Sequence, residues 1–165
     1  VIAVVVAIIF MLLYIRIRFK DLRFGLSSII ALLHDVLVVL AFYAVARVSV
    51  SNTFVACMLT IVGYSINATI VIFDRIRENM ATMTHKDDLK DVVDKSITQT
   101  MSRSIFTSLT TFIMVAVLYV LGVTSIRDFA LPLMVGIVCG AYSSICLAGS
   151  LWYVFRQKFV PKKEK

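Results

Sequence analysis

The chain has 165 residues, of which 60% belong to the apolar set AVILMFWYC and 16% are charged, with a mean hydropathy of +0.93. That is too apolar for an ordinary soluble domain, where roughly a quarter of residues are charged, and it excludes intrinsic disorder, which needs low hydrophobicity. The net charge of +7 would suit nucleic acid only if the cations shared one soluble face, and their distribution excludes that partner.

Residues 1–15 form an unbroken apolar run. It is read as a truncated or trimmed first span and not as a signal peptide, because its basic residues follow the run instead of preceding it. Residues 24–46 follow, with Asp35 as the only charge, then 53–73, 104–126 and 129–155 with none. A membrane-spanning helix needs about 20 mainly apolar residues, so the last four runs qualify outright. Strands of a membrane barrel alternate over about 10 residues, and these runs do not. The expected fold is an all-α membrane protein, a polytopic bundle of five transmembrane helices in one domain over 1–165.

Lys and Arg supply the orientation. Fifteen lie between spans one and two, between spans three and four, and after span five; only Arg47 and Arg127 lie on the other side. The two basic loops and the C-terminus are therefore expected in the cytoplasm, and the +7 is a topology charge that also meets membrane lipids. Within the loop before span four, Thr84-x-x-Asp87 resembles a capping box. Leu89, Val92, Val93, Ile97 and Met101 then recur at helical steps, which predicts an amphipathic helix over about 85–101. It would lie along the interface or serve as a solvated connector.

Ionisable groups at membrane depth are functional candidates. His34 and Asp35 fall in mid-span, where Asp35 must face a bundle interior, a partner or water; it either fixes packing or lines an ion path. The expected neighbours of Asp35 are His34, Asn67 or a hydroxyl of the fourth span. Thr60, Gly63, Tyr64, Asn67 and Asp74 form a polar or small stripe on the third span. Ser104, Thr107, Ser108 and Thr111 form another on the fourth, with Arg103 at its start. The stripes predict facing helices, held by ordinary small-residue contact or lining a narrow wet path through Asn67 and Thr69. Gly136-x-x-x-Gly140, then Ser144 and Ala148, make a small face for close helix packing on the fifth span, and Pro132 is a point for a kink. Cys57, Cys139 and Cys146 have no Cys or His at metal-ligand spacing, so no metal site, cofactor or disulfide is expected. No protease constellation or phosphate-binding glycine loop is present, and no enzyme is expected.

Gly63-Tyr64-Ser65-Ile66-Asn67, then Ile70-Val71-Ile72-Phe73-Asp74-Arg75-Ile76-Arg77-Glu78-Asn79, resembles the signature of the SecF family, the smaller subunit of the SecDF accessory complex of bacterial protein export. Leu33-His34-Asp35-Val36 resembles a second block, and Ser96-x-Thr98-Gln99-Thr100-x-x-Arg103, leading into Thr107-Ser108-Leu109-Thr110-Thr111, a third. The resemblance implies the helical half of an RND-type transporter, lacking its first helix and exoplasmic domain. It implies pairing with a homologous SecD-like half and assistance to the SecYEG channel in moving exported, unfolded polypeptide. The energy would come from the proton-motive force across the bacterial cytoplasmic membrane. The family usually places Asp directly after the motif's Asn, in the ion path; here that position is Ala68, while Arg103 matches the family's partnering arginine. The rival readings are another RND-type exporter and a passive membrane scaffold without ion coupling.

Overall fold

The computed structural model describes residues 22–48, 50–83 and 88–159, with isolated positions at 6, 9, 10, 13 and 17. The expected first span, 1–15, lies outside the described residues apart from Val6, Ile9, Phe10 and Leu13, which are helical and exposed. The elements are α1 (Leu22–Ala46), α2 (Asn52–Ala81), α3 (Leu89–Leu121), α4 (Thr124–Tyr142), a π-helical segment (Ser143–Ala148) and α5 (Gly149–Phe159). The last three run end to end. Among the described residues, four stretches are long and apolar enough to cross a membrane: Arg23–Ala46, Asn52–Ala81, Leu89–Leu121 and Ile126–Lys158.

The expected helix at 85–101 is not a separate element. Its described part, from Leu89, opens α3, which runs unbroken for 33 residues, with Asp88 as N-cap accepting from the Lys90 backbone N–H. The sequence Ser102-Arg103-Ser104 holds no glycine or proline to stop it. On its apolar stripe Val92 and Val93 are buried, and Val93 packs with Ile76 and Trp152. The Thr84 capping box falls outside the described residues. The break expected between spans four and five at 126–129 comes earlier, because α3 ends at Leu121 and Gly122 caps it with an extended backbone. Pro132 does not end α4.

Two apolar clusters hold the bundle. One joins Phe24 and Ala31 of α1, Ile72, Phe73 and Ile76 of α2, Val93 of α3, Ala148, and Trp152 of α5. Phe24 stacks on Trp152 with ring centroids 4.8 Å apart. The other joins Val39 and Tyr43, Cys57, Met58 and Ile61, Val115, and Ala130, Leu133 and Ile137. α1, α2 and α3 contribute to both, while α4 serves the second and the π segment with α5 the first. The residues between the two clusters are therefore carried at mid-height, about 17–20 Å along α1 from either end at 1.5 Å per residue. Asp35 falls there, on the stripe Ala31-Asp35-Val39-Tyr43, which is buried throughout.

The ends carry local devices. α1 finishes with Arg47 at φ 50° and the Val48 N–H bonded to the Tyr43 carbonyl at 3.3 Å, a Schellman ending in which glycine is the usual residue. Arg127 reaches back from α4 to the Gly122 and Val120 carbonyls at 3.0 and 3.1 Å.

Candidate functional site

Asp35 is fully enclosed, with 0% of its surface exposed. An isolated carboxylate in such a place would be very costly, and protein groups replace the water. Ser65 Oγ of α2 donates to Oδ2 at 2.5 Å and Ser143 Oγ of the π segment donates to the same oxygen at 2.7 Å. On the other side Cys139 Sγ donates to Oδ1 at 3.4 Å, and His34 Nδ1 lies 3.1 Å from Oδ1. Three parts of the chain thus converge on one acid. Gly140 packs beside it: a Cβ there would sit 3.5 Å from Ser65 Cβ and 3.6 Å from Asp35 Oδ2, at ordinary contact distance.

Ser143 and Ser144 follow each other in the π segment, and both are buried. Ser144 Oγ lies 3.1 Å from Thr69 Oγ1 and donates to the Ser65 carbonyl at 3.3 Å. Hydroxyl groups therefore continue from Asp35 along α2 to Thr69.

The stripes on α2 and α3 meet at a second site. Tyr64 Oη donates to Ser108 Oγ at 2.9 Å. Below that bond a cleft of about 100 Å³ is lined by Tyr64, Asn67, Ala68, Val71, Arg103, Ser104, Thr107 and Ser108. Ala68 and Arg103 share it, so a carboxylate at position 68 would stand in the arginine's cleft. Thr107 and Thr111 turn their hydroxyls to the carbonyls four residues back, Arg103 and Thr107. Thr60 does the same to Ala56 and is exposed. Gly63 faces open space, with nothing within 4 Å of a Cβ. Asn67 lines the cleft and does not reach Asp35. Neither does any hydroxyl of α3, because the cleft and Ser65 lie on different faces of α2; of the three expected neighbours, His34 is the one that meets the acid. Asp74 sits nine residues beyond Ser65 on α2, outside the cluster.

The packing residues lie along α4 and the π segment. Gly136 is pressed on Ile61, whose Cδ1 and Cγ1 would be 2.5 and 2.6 Å from an added Cβ. Gly136, Gly140, Ser144 and Ala148 are all buried. Nearer the basic end, Arg75 Nε donates to Gln99 Oε1 at 2.7 Å, and Asn79 Nδ2 donates to Ser96 Oγ at 2.8 Å and to Gln99 Oε1 at 3.0 Å. Two of the motif blocks quoted above are thus each other's hydrogen-bond partners across α2 and α3.

Ser65, Cys139 and Ser143 were not expected as partners of Asp35. Ser65 carried a signal, since Met58, Ile61, Ser65, Thr69 and Ile72 form an unbroken inward stripe at helical steps. The polar stripe chosen on α2 follows another face. Cys139 had no local signal, being 105 residues from His34. The His34–Asp35–Cys139 group is not a nucleophile relay, because thiol and carboxylate both approach the same imidazole nitrogen, Nδ1. A relay needs the nucleophile at one ring nitrogen and the acid at the other.

A helical, multi-pass membrane protein with a fully buried acid between two apolar clusters is the class that fold and site define. Residues 1–158 match the family model described as protein export membrane protein SecD/SecF, C-terminal, and the chain belongs to that family. The protein translocase subunit SecF of Alicyclobacillus acidocaldarius is 51% identical over 162 residues, covering 97% of this chain and 52% of that one. SecDF of Bacillus subtilis is 40% identical over 162 residues, covering 97% of this chain and 22% of that one. A crystal structure of SecDF in a super-membrane-facing form superposes with a TM-score of 0.87 at 44% identity, over 94% of this chain and 21% of that one. The chain spans about half the length of the SecF subunits it matches.

Proposed function

We propose that this chain is the membrane-embedded part of a SecF-type subunit that assists export of unfolded polypeptides across the bacterial cytoplasmic membrane, driven by an ion gradient, with protons as the ion. It pairs with a SecD-like homologous half and acts beside the SecYEG channel. Residues 1–165 form one transmembrane domain with its C-terminus in the cytoplasm; the fifteen-to-two division of Lys and Arg supports that orientation. The relatives' names support the export role.

The observation that carries the coupling is Asp35, enclosed at mid-height and met by Ser65, Ser143, Cys139 and His34. An ionisable group inside a membrane bundle marks an ion path more often than ordinary packing does. Hydroxyl groups both donate and accept, so the cluster can satisfy the acid with or without its proton. The hydroxyls of Ser144 and Thr69 extend it toward the basic end. A second reading, a passive scaffold, is favoured by Ala68, which offers Arg103 no charge across their shared cleft.

The experiment reconstitutes the full-length protein with its SecD-like half and SecYEG in vesicles and measures gradient-stimulated export. Asp35→Asn keeps the shape of the side chain, so assembly should survive while stimulation is lost. Ala68→Asp should then restore part of it by returning an acid beside Arg103. An Asp35→Asn protein that still responds to the gradient would refute coupling through Asp35 and leave the scaffold reading.

A further inference from the structure

The Asp35 cluster holds more than hydroxyl groups. An imidazole, a carboxylate and a thiol, from His34, Asp35 and Cys139, bring their ligand atoms within 4.8 Å of one another. Nδ1 to Oδ1 is 3.1 Å, Sγ to Oδ1 is 3.4 Å and Sγ to Nδ1 is 3.8 Å. A circle through three atoms so spaced has a radius of about 2 Å. Zinc–nitrogen and zinc–oxygen bonds are about 2.0–2.2 Å and zinc–sulfur about 2.3 Å. An ion slightly out of the plane of the three atoms meets all of these lengths and keeps a fourth corner open, as three-ligand zinc sites do.

The surroundings match a metal site as well. Ligating carboxylates are held by outer hydrogen bonds, and here Ser65 and Ser143 both take Oδ2, which leaves Oδ1 turned to the other two ligands. The mixed nitrogen, oxygen and sulfur set suits zinc. Calcium and magnesium call for oxygen alone, and copper(I) favours soft donors without a carboxylate. Two of the three ligands reach the surface of the isolated chain. The His34 side chain is 38% exposed, and Cys139 forms part of the wall of an apolar groove between α1, α3 and α4.

We infer that His34, Asp35 and Cys139 form a binding site for a divalent transition-metal ion of the zinc class. Cys139 binds as the thiolate, its proton passing to water, and His34 binds through Nδ1 with its own proton on Nε2. The site goes beyond the export reading and stands without it.

The test uses the untagged full-length protein with its partner half in detergent. Cobalt(II), a spectroscopic substitute for zinc, should bind with a sulfur-to-cobalt charge-transfer band and be displaced by zinc. Cys139→Ser should remove that band, and Ser143→Ala should weaken binding by about 10–100-fold through the lost outer bond. Cys146→Ser should leave the spectrum unchanged. The wild-type protein gives a second readout, since zinc should shield Cys139 from a membrane-permeable maleimide while Cys146 goes on reacting. A cobalt spectrum without the sulfur band, a band that survives Cys139→Ser, or alkylation of Cys139 at one rate with and without zinc would overturn the site.

Discussion

Ser143 donates to Asp35 Oδ2 at 2.7 Å from a fully buried position, and its removal tests how much the acid depends on the protein. Hydrogen bonds to charged groups contribute about 1.5–3 kcal/mol in soluble proteins, but polar contacts between membrane helices average nearer 0.6 kcal/mol. Ser65 still serves the same oxygen. Ser143→Ala should therefore lower stability by about 1 kcal/mol. Trp152 is the only tryptophan and sits fully buried against Phe24, so its fluorescence during thermal unfolding in detergent reports the change. A variant as stable as wild type would mean that the Ser143 bond adds nothing. The two cations on the sparsely charged side have local explanations at the same scale. Arg127 binds the terminal carbonyls of α3, where a cation also complements the helix dipole, and Arg47 occupies the left-handed turn that closes α1.

The helices show which features composition carries. Four spans were legible as apolar runs, because exclusion from water depends on content and length. Their faces were harder to read. A helix apolar on every side gives periodicity little contrast, and the polar stripe on α2 led to Asn67 and the α3 cleft instead of to Ser65. The motif blocks around Arg75 and Gln99 were legible as a resemblance, but their joining across α2 and α3 needed the fold. The small face of α4 was readable from Gly136 and Gly140, and it yields a sharp contrast. Gly136→Ala drives a methyl into Ile61, and overpacking of this kind costs about 1–3 kcal/mol. Gly63→Ala meets nothing within 4 Å and should be neutral or slightly stabilising, since Ala favours helix by about 1 kcal/mol over Gly. Equal melting of the two variants would remove the assigned face. Gly140 is a graded case: its surroundings accept one methyl at ordinary contact distance, but a leucine would displace Asp35.

For the whole molecule, the charge pattern and the fold make joint demands. The α2–α3 connection and the end of α5 share the basic side, so Met83→Cys should be shielded from an impermeant thiol reagent added outside sealed cells. Val50→Cys and Thr124→Cys, at the opposite ends, should react; outside labelling at position 83 would reverse the orientation. The two apolar clusters also have to keep a fixed rotational phase, because Leu133 and Ile137 serve one and Ala148 and Trp152 the other. The π segment lies between them. A π bulge spends one extra residue without rotating the helix beyond it. Deleting the exposed Cys146 should return the segment to α-helix, leaving Trp152 on Phe24 and the melting transition cooperative. Deleting Val138 instead turns one cluster about 100° against the other and should abolish the Trp152 signal of the folded state. If both deletions unfold the protein alike, the segment has no such slack. If they differ, chain length at 143–148 is a free variable, and a gain or loss of one codon there resets which side chains face the acid while the rest of the bundle stays in place.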